Sequence, residues 1–479
     1  MGLAEASGTP AEPSPQEDRF TMSRRNLAWL LGIVAISVFG FAVSYSASTH
    51  EKDKDYELIH LLVDVLHEVR TKYVVDIDPE RERRLVEDMI NGGLERLDPH
   101  SQFINARDYK QFEKTSRGKF GGVGIQVGYD QANPGWLTVI SPMVGTPAYK
   151  EGILAGDRIV KIDGKSTKNM LLGEAVDLIQ GDPGQKITLT VLHEGAKEPI
   201  DVTLTRDIIQ VQSVLGDQRK IDNPEQWDFL LDKTSKIGYL RLTNFSEKAA
   251  KEVRQAVEDL ERQGARGLII DLRYNPGGLL RAAVDIADMF IPEGRIVSTK
   301  GRNQKEEVYD ARPDGKLMMP PEKFPMAVLV NRYSASASEI LAAALQDHNR
   351  AVVVGERTYG KGSVQNIIML EKDTSALKLT TASYWRPSGK NIHRFPDSKD
   401  TDEWGVKPNP GLEVSLTDED RIQYFRARNE RDVVRTRKDD ADKKDKKPFV
   451  DRVLEKAVDH LKKEIDKQNA AAPREIKEA

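Results

Sequence analysis

The chain has 479 residues, 39% hydrophobic and 31% charged, with 72 Lys+Arg against 76 Asp+Glu for a net charge of -4. That length predicts roughly two to four domains, and the balanced charge lacks the basic excess expected of a nucleic-acid binder. With no Cys, a disulfide scaffold, thiolate zinc sites, iron–sulfur clusters and a Cys nucleophile are excluded.

Residues 1–25 read as a polar lead ending in Arg24-Arg25. Leu27 to Tyr45 then carries no charge over 19 residues, long enough to cross a bilayer as a helix. A transmembrane helix or signal anchor is expected over 26–46. The arginines before it predict a cytoplasmic N-terminus and an exported, periplasmic or otherwise extracytoplasmic bulk. Cleavage near Ser46-Ala47-Ser48 would instead release the protein, but the long lead favours an anchor. Ser23-Arg24-Arg25-Asn26-Leu27 also has some likeness to a twin-arginine signal.

A helical region is expected over 51–115. Leu58, Leu61, Leu62, Val65, Leu66 and Val69 recur at helical spacing over Tyr56–Lys72, as do Leu85, Met89, Ile90 and Leu94 over Glu80–Leu97. Leu97-Asp98-Pro99-His100-Ser101 ends the second helix. Such amphipathic helices suit a homodimer, though the spacing equally fits packing within one chain.

Between 118 and 208 the texture becomes β-rich. Gly121-Gly122-Val123-Gly124-Ile125-Gln126-Val127 opens into a strand, and Leu137–Ile140 is another. A short helix from Pro147 ends at Gly152. Arg158–Ile162 is a strand followed by the Asp163-Gly164 hairpin signal. A helix over Leu171–Gln180 precedes strands Lys186–His193 and Pro199–Thr205. This order resembles a PDZ domain, with Gly122, Val123, Gly124 and Ile125 as its peptide-binding loop. Backbone N–H groups at such a loop can hold a terminal carboxylate while an extended peptide adds a strand.

From 236 to 415 strands and helices alternate, with Lys236–Leu242, Gly267–Leu272, Met326–Asn331 and Ala351–Gly355 as strands. From 416 to 479 the chain reads as a charged tail, part helical and part disordered. It holds the run Lys443–Lys447 and one terminal helix over Phe449–Ile465, with Val450, Val453, Leu454, Ala457 and Leu461 on a face.

Gly355-Glu356-Arg357-Thr358-Tyr359-Gly360-Lys361 nearly spells a nucleotide-binding loop. The Ser or Thr required next is replaced by Gly362, and a strand rather than a helix is expected from Ser363. Asn331-Arg332-Tyr333-Ser334-Ala335-Ser336-Ala337-Ser338-Glu339 joins a buried strand to a helix whose first N–H groups can face a developing oxyanion. Taken alone, Ser336 and Glu339 equally fit a capping box.

Asp271…Asn275-Pro276-Gly277-Gly278, the serine loop and Gly360-Lys361-Gly362-Ser363-Val364-Gln365 follow in order behind the PDZ-like segment. Together with Leu97–Ser101 and Tyr384-Trp385-Arg386-Pro387-Ser388-Gly389, this resembles the carboxyl-terminal processing peptidases, or tail-specific proteases, from about Tyr56 to Val414. The resemblance implies an α/β multidomain protein with a ClpP- or crotonase-like catalytic core over 209–415. It implies a serine endopeptidase with Ser336 as nucleophile, Lys361 as general base and Gln365 as the base's partner. The Ala337 N–H would form half the oxyanion hole, and Gly277 or Gly278 the other half. No cofactor, metal or nucleic acid is implied. Partners would be protein or peptide substrates with accessible C-termini, the membrane and, in some settings, an adaptor protein. The chemistry is coherent: a buried lysine can be neutral and take a serine proton. Gln365, at i+4 on a strand, would share a face with Lys361. In some relatives an Arg at the end of the PDZ helix couples tail binding to activation; here Gln180 occupies that place. A non-catalytic PDZ scaffold and a crotonase-like acyl enzyme are the competing readings. The first predicts loss of Ser336 or Lys361, and the second needs neither Lys361 nor the PDZ-like insertion.

Overall fold

A computed structural model describes residues 56–116, 119–129, 134–223, 225–303, 305–312, 317–433 and 449–471. The expected membrane segment, 26–46, and the lysine-rich run 443–447 lie outside the described residues. Among the described residues no helix is long and apolar enough to cross a membrane. The chain divides into two compact units, Met1–Val86 and Glu87–Ala479.

In the first unit a helix over 56–72 is followed by the start of the helix Pro79–Glu95. Pro79 suits a first helical turn, and the Asp78 carboxylate accepts the Arg81 N–H at 2.8 Å. Arg70 and Glu82 form an ion pair between the two helices. The apolar face of helix 56–72 stays open, with Leu58, Leu61 and Leu62 exposed.

In the second unit the PDZ domain is an antiparallel sheet. Its order is Ile125–Tyr129, Leu137–Pro142, Arg158–Ile162, Lys186–Leu192, Ile200–Thr205. Val123, Leu137, Val139, Ile159, Ile162, Ile187 and Leu189 form its core with Ala175 and Ile179 of the helix Leu172–Ile179. The Gly-rich opening, expected as one strand, is two. Lys119–Gly122 pairs with Asp207–Gln210, and the chain turns at Val123-Gly124 before Ile125–Tyr129 begins the sheet edge.

The catalytic core is built on four parallel strands, in the order Ile237–Leu242, Gly267–Asp271, Met326–Val330, Val352–Gly355. Their alternation divides the interior. Leu240, Leu242, Leu268, Ile270, Val328, Val330 and Val353 face a core shared with the helices Ala249–Arg262, Leu280–Ala287 and Ala337–Asp347. Tyr239, Ile269, Ala327, Leu329 and Val354 belong to a second core. That core is closed by Val453, Leu454, Ala457, Leu461 and Ile465 of the helix Arg452–Ala471. The segment expected as a charged tail therefore supplies a layer of the core. Continuously buried parallel strands need cover on both faces, and this helix gives it. The face expected from the sequence is the buried one, except that Val450 is exposed. A second helix, Asp418–Asp432, starts at a Thr417–Asp420 capping box and buries Arg421, Tyr424 and Arg428.

A second, antiparallel sheet joins Gln102–Ile104, Ser375–Trp385, Arg295–Gly301 and Glu307–Asp310, with Ser363–Leu370 also pairing Ser375–Trp385. It brings the Asp98–Ser101 turn beside the strands that follow Lys361.

Candidate active site

Three loops at the carboxyl ends of the parallel strands converge. They are Leu272–Gly278, Asn331–Ser336 and Glu356–Gly362, the usual place for function in an open parallel sheet. The three serines in and just after the middle loop differ in their use. The Ser334 hydroxyl accepts the Asn331 N–H at 3.0 Å and donates to the Leu272 carbonyl at 2.8 Å. The Ser338 hydroxyl donates to the Asn275 carbonyl at 2.9 Å. Both therefore tie this loop to its neighbour. Ser336 instead stands at φ 56 at the head of the helix Ala337–Asp347, with the Tyr384 hydroxyl nearby. A non-glycine residue in that conformation stores strain of about 1–3 kcal/mol. Burial pushes the Tyr384 phenol up to about 12, so it is a neutral group at physiological pH.

Glu339 holds the serine and lysine loops together. Its Oε2 accepts the N–H groups of both Ser336 and Lys361, each at 2.8 Å. Its Oε1 accepts the Thr358 hydroxyl and the Gly360 N–H, each at 2.6 Å. The side chain is wholly buried, and burial raises its pKa to about 7 against the opposing effect of these four donors. The spacing Ser336-x-x-Glu339 points to a local cap; that Glu339 also holds the lysine loop is not in the spacing.

The Lys361 side chain is half-buried. Burial is the main cause lowering its pKa, and nearby Lys378 acts the same way, while Glu339 and Asp98 oppose. A Cβ on Gly362 would lie 2.2 Å from the His393 nitrogen, so only glycine admits that segment beside Lys361. The segment Gly355–Lys361 leads into the strand Ser363–Leu370, not into the helix N-terminus of a nucleotide loop. The alternation expected to align Lys361 with Gln365 does not apply. The strand begins at Ser363, and its register shifts between Val364 and Gln365. The Gln365 amide donates to Ser363 Oγ at 2.9 Å and to Thr380 Oγ1 at 3.1 Å.

Of the two glycines considered for the oxyanion hole, Gly277 has its N–H engaged by the Asn275 side chain at 2.9 Å. Its carbonyl accepts the Phe245 N–H at 2.9 Å. Gly277 is also a packing point: at φ +103, an added Cβ would meet Ala337 N and Ser336 Cβ, each at 2.9 Å. The Gly278 N–H takes no part in the pairing with Phe245, which runs through the Gly277 carbonyl and the Leu279 N–H. Asn275, to which the motif alone assigns no contact, also donates to the Leu242 carbonyl at 2.7 Å and so fixes this turn to the sheet.

In the PDZ domain, Gly122 is paired in a strand and Val123 is buried, its carbonyl accepting the Ala148 N–H at 3.0 Å. Gly124 follows, and Ile125 begins the edge strand. The Tyr129 hydroxyl links that strand to the helix Leu172–Ile179. It donates to the Met170 carbonyl at 3.2 Å and accepts the Leu172 N–H at 2.8 Å. Gln180 is neutral, but a positive charge does occupy this helix end. Arg206 donates to the carbonyls of Leu178 (2.8 Å), Ile179 (3.0 Å) and Lys186 (3.1 Å). Among the described residues no group of three His, Asp or Glu is arranged for a metal ion.

A PDZ domain joined to this α/β core defines a PDZ-containing serine peptidase. The profile of Peptidase family S41 matches residues 236–409, and that of a PDZ domain matches 138–192. The chain is 37% identical over 414 residues to the carboxy-terminal-processing protease of Bartonella bacilliformis, covering 85% of this chain and 90% of that protein. It is 34% identical to the carboxy-terminal processing protease CtpA of Bacillus subtilis, covering 75% and 70%. A solved structure titled photosystem II D1 C-terminal processing protease aligns at 29% identity and a TM-score of 0.40, over 73% of this chain and 86% of its own. The chain belongs to the S41 family of carboxy-terminal processing proteases, which are serine peptidases.

Proposed function

We propose that this is an exported, membrane-anchored endopeptidase that captures protein C-terminal tails through its PDZ domain and cleaves peptide bonds with Ser336 and Lys361. The observation that carries the reading is the shared Glu339 oxygen, which holds the Ser336 and Lys361 N–H groups within two hydrogen-bond lengths of each other. The half-buried Lys361 amine, with its pKa lowered, takes the Ser336 proton as the oxygen attacks the substrate carbonyl. The Ala337 and Gly278 N–H groups stabilise the resulting oxyanion. Lys361 then passes the proton to the leaving amine, and water releases the acyl group. Gln365 orients the amine. Anchoring and export are supported by the uncharged run Leu27–Tyr45 behind Arg24-Arg25. The open apolar face of helix 56–72 supports a homodimer.

The test is cleavage of an unfolded reporter ending in an apolar tail, and of the same reporter without it. Tail-dependent cleavage by wild type, absent in Ser336→Ala and Lys361→Ala, is expected. Cleavage persisting in either variant refutes the dyad.

A further inference from the structure

The Asp98 carboxylate receives four hydrogen bonds. Its Oδ1 accepts the His100 N–H (2.7 Å), the Ser101 N–H (3.0 Å) and the Thr380 hydroxyl (3.1 Å), and its Oδ2 accepts the Ser101 hydroxyl (2.6 Å). Burial opposes its charge, but the bonds from Ser101, His100 and Thr380 outweigh burial and hold the carboxyl below its ordinary range. An ionised carboxylate has no proton to give, so the Thr380 hydroxyl is the donor between them. A hydroxyl has one proton. Toward Gln365 the same oxygen is therefore an acceptor only, and it takes the Gln365 Nε2–H at 3.1 Å. Thr380 is itself fixed, since its N–H donates to the Ser101 hydroxyl at 3.0 Å. The second Gln365 donor goes to Ser363 Oγ at 2.9 Å. The NH2 end of the amide is thus committed to two hydroxyls, and the carbonyl is the end turned from them.

We propose that Asp98, acting through Thr380, sets which end of the Gln365 amide faces the Lys361 amine. This rests on the assignment of Lys361 and Gln365 made above. Asp98 also lies close enough to Lys361 for its charge to act on the amine. A carbonyl facing the amine accepts a lysine N–H and leaves the nitrogen lone pair for the Ser336 proton. A reversed amide would aim an N–H at that lone pair and compete with Ser336 for it. Asp98 and Thr380 are positioning residues and touch no reacting atom. The Leu97–Ser101 turn, which carries no reacting group, gains a role in the chemistry this way.

The full chain is assayed on the tailed reporter. Thr380→Val keeps the side-chain shape and removes the hydroxyl, Thr380→Ser keeps the hydroxyl, and Asp98→Asn removes the obligate acceptor. Thr380→Val and Asp98→Asn are expected to lower kcat about tenfold with KM unchanged, while Thr380→Ser stays within about threefold of wild type. In a Gln365→Ala background, Thr380→Val is expected to have no further effect, because residues acting in series are not additive. An equal loss in both backgrounds, an equal loss in Thr380→Ser, or an unchanged kcat in Thr380→Val overturns the relay. If Asp98→Asn does not fold, the Thr380 pair decides alone. Activity surviving Ser336→Ala or Lys361→Ala refutes the dyad; inactive controls with an additive Thr380 loss refute only the relay.

Discussion

Arg273 and Asp451 meet in a two-point ion pair, Nη1 to Oδ1 and Nη2 to Oδ2, each at 2.8 Å, although 178 positions separate them in the chain. Arg273 also donates to Asp271 and lies over the Tyr424 ring at 4.7 Å. It stands two residues before Asn275, whose side chain shapes the Gly277-Gly278 turn. The last helix, whose apolar face packs on the parallel strands, is therefore also joined by charge to Arg273 beside the active-site turn.

Asp451→Ala should leave the buried Arg273 with Asp271 as its remaining carboxylate. Because Asp271 still compensates the charge, losing the Asp451 hydrogen bonds is expected to cost about 1.5–3 kcal/mol, read as a lower urea midpoint. Burial raises the Asp451 pKa, but Arg273 outweighs it and the carboxyl is held below its ordinary value of 3.8. Its stabilisation is present above that value and is lost as pH falls below it. Wild type should thus lose its advantage over Asp451→Ala in acid. A constant gap between the two down to pH 2 would refute the pairing.

Glu339 sets stability and activity against each other. Its folded pKa, about 7, is raised above the ordinary 4.5, so the folded state holds the proton more tightly than the unfolded chain. The stabilisation is fully present below about 4.5 and is lost as pH rises through about 7, an effect of at most about 3 kcal/mol. The ionised form, in contrast, is the one that accepts all four donors from the two catalytic loops. Glu339→Gln should flatten this part of the stability profile between pH 5 and 8. It should also lower kcat by about a hundredfold, since its NH2 would face N–H donors. Unfolding curves at the two pH values, with kcat on the same samples, check both.

The serines separate chemistry from support. Ser336→Ala should abolish cleavage with the thermal midpoint little changed. Ser334→Ala leaves the Asn331 N–H without its partner and the Leu272 carbonyl with only the Asn275 N–H, at 3.2 Å. It should cost about 1–3 kcal/mol of stability and retain most of kcat in the fraction that is folded. A stable but inactive Ser334→Ala would move the nucleophile.

How much of this was legible depended on range. The buried runs Gly267–Asp271 and Met326–Val330 announce themselves as strands, and the spacing of Val453, Leu454, Ala457 and Leu461 identifies a helix face. Spacing does not say what covers that face, so the terminal helix looks like a tail until Ile269 and Leu329 are seen beneath it. Arg295–Gly301 and Ser375–Trp385 are rich in Ser, Thr and Lys, and become strands through pairing with each other and with distant segments. The Ser-x-x-Glu spacing reveals only the local half of Glu339, because Thr358, Gly360 and Lys361 come from another loop. That the Asn275 side chain engages the Gly277 N–H is recorded by no motif.

Arg206 offers a last test, of the PDZ domain. Its guanidinium holds the final carbonyls of the helix Leu172–Ile179, which flanks the edge strand where a tail would add. The next residues, Asp207–Gln210, pair with Lys119–Gly122, just before the turn at Val123-Gly124. Arg206→Gln removes most of these bonds and the charge that favours a helix C-terminus. The groove should then lose its shape while the catalytic loops keep theirs. KM for the tailed reporter is expected to rise about fivefold to tenfold, equivalent to about one hydrogen bond, with kcat unchanged and cleavage of the tail-less reporter unaffected. An equal change for both reporters would mean that Arg206 supports the whole fold rather than the capture of tails.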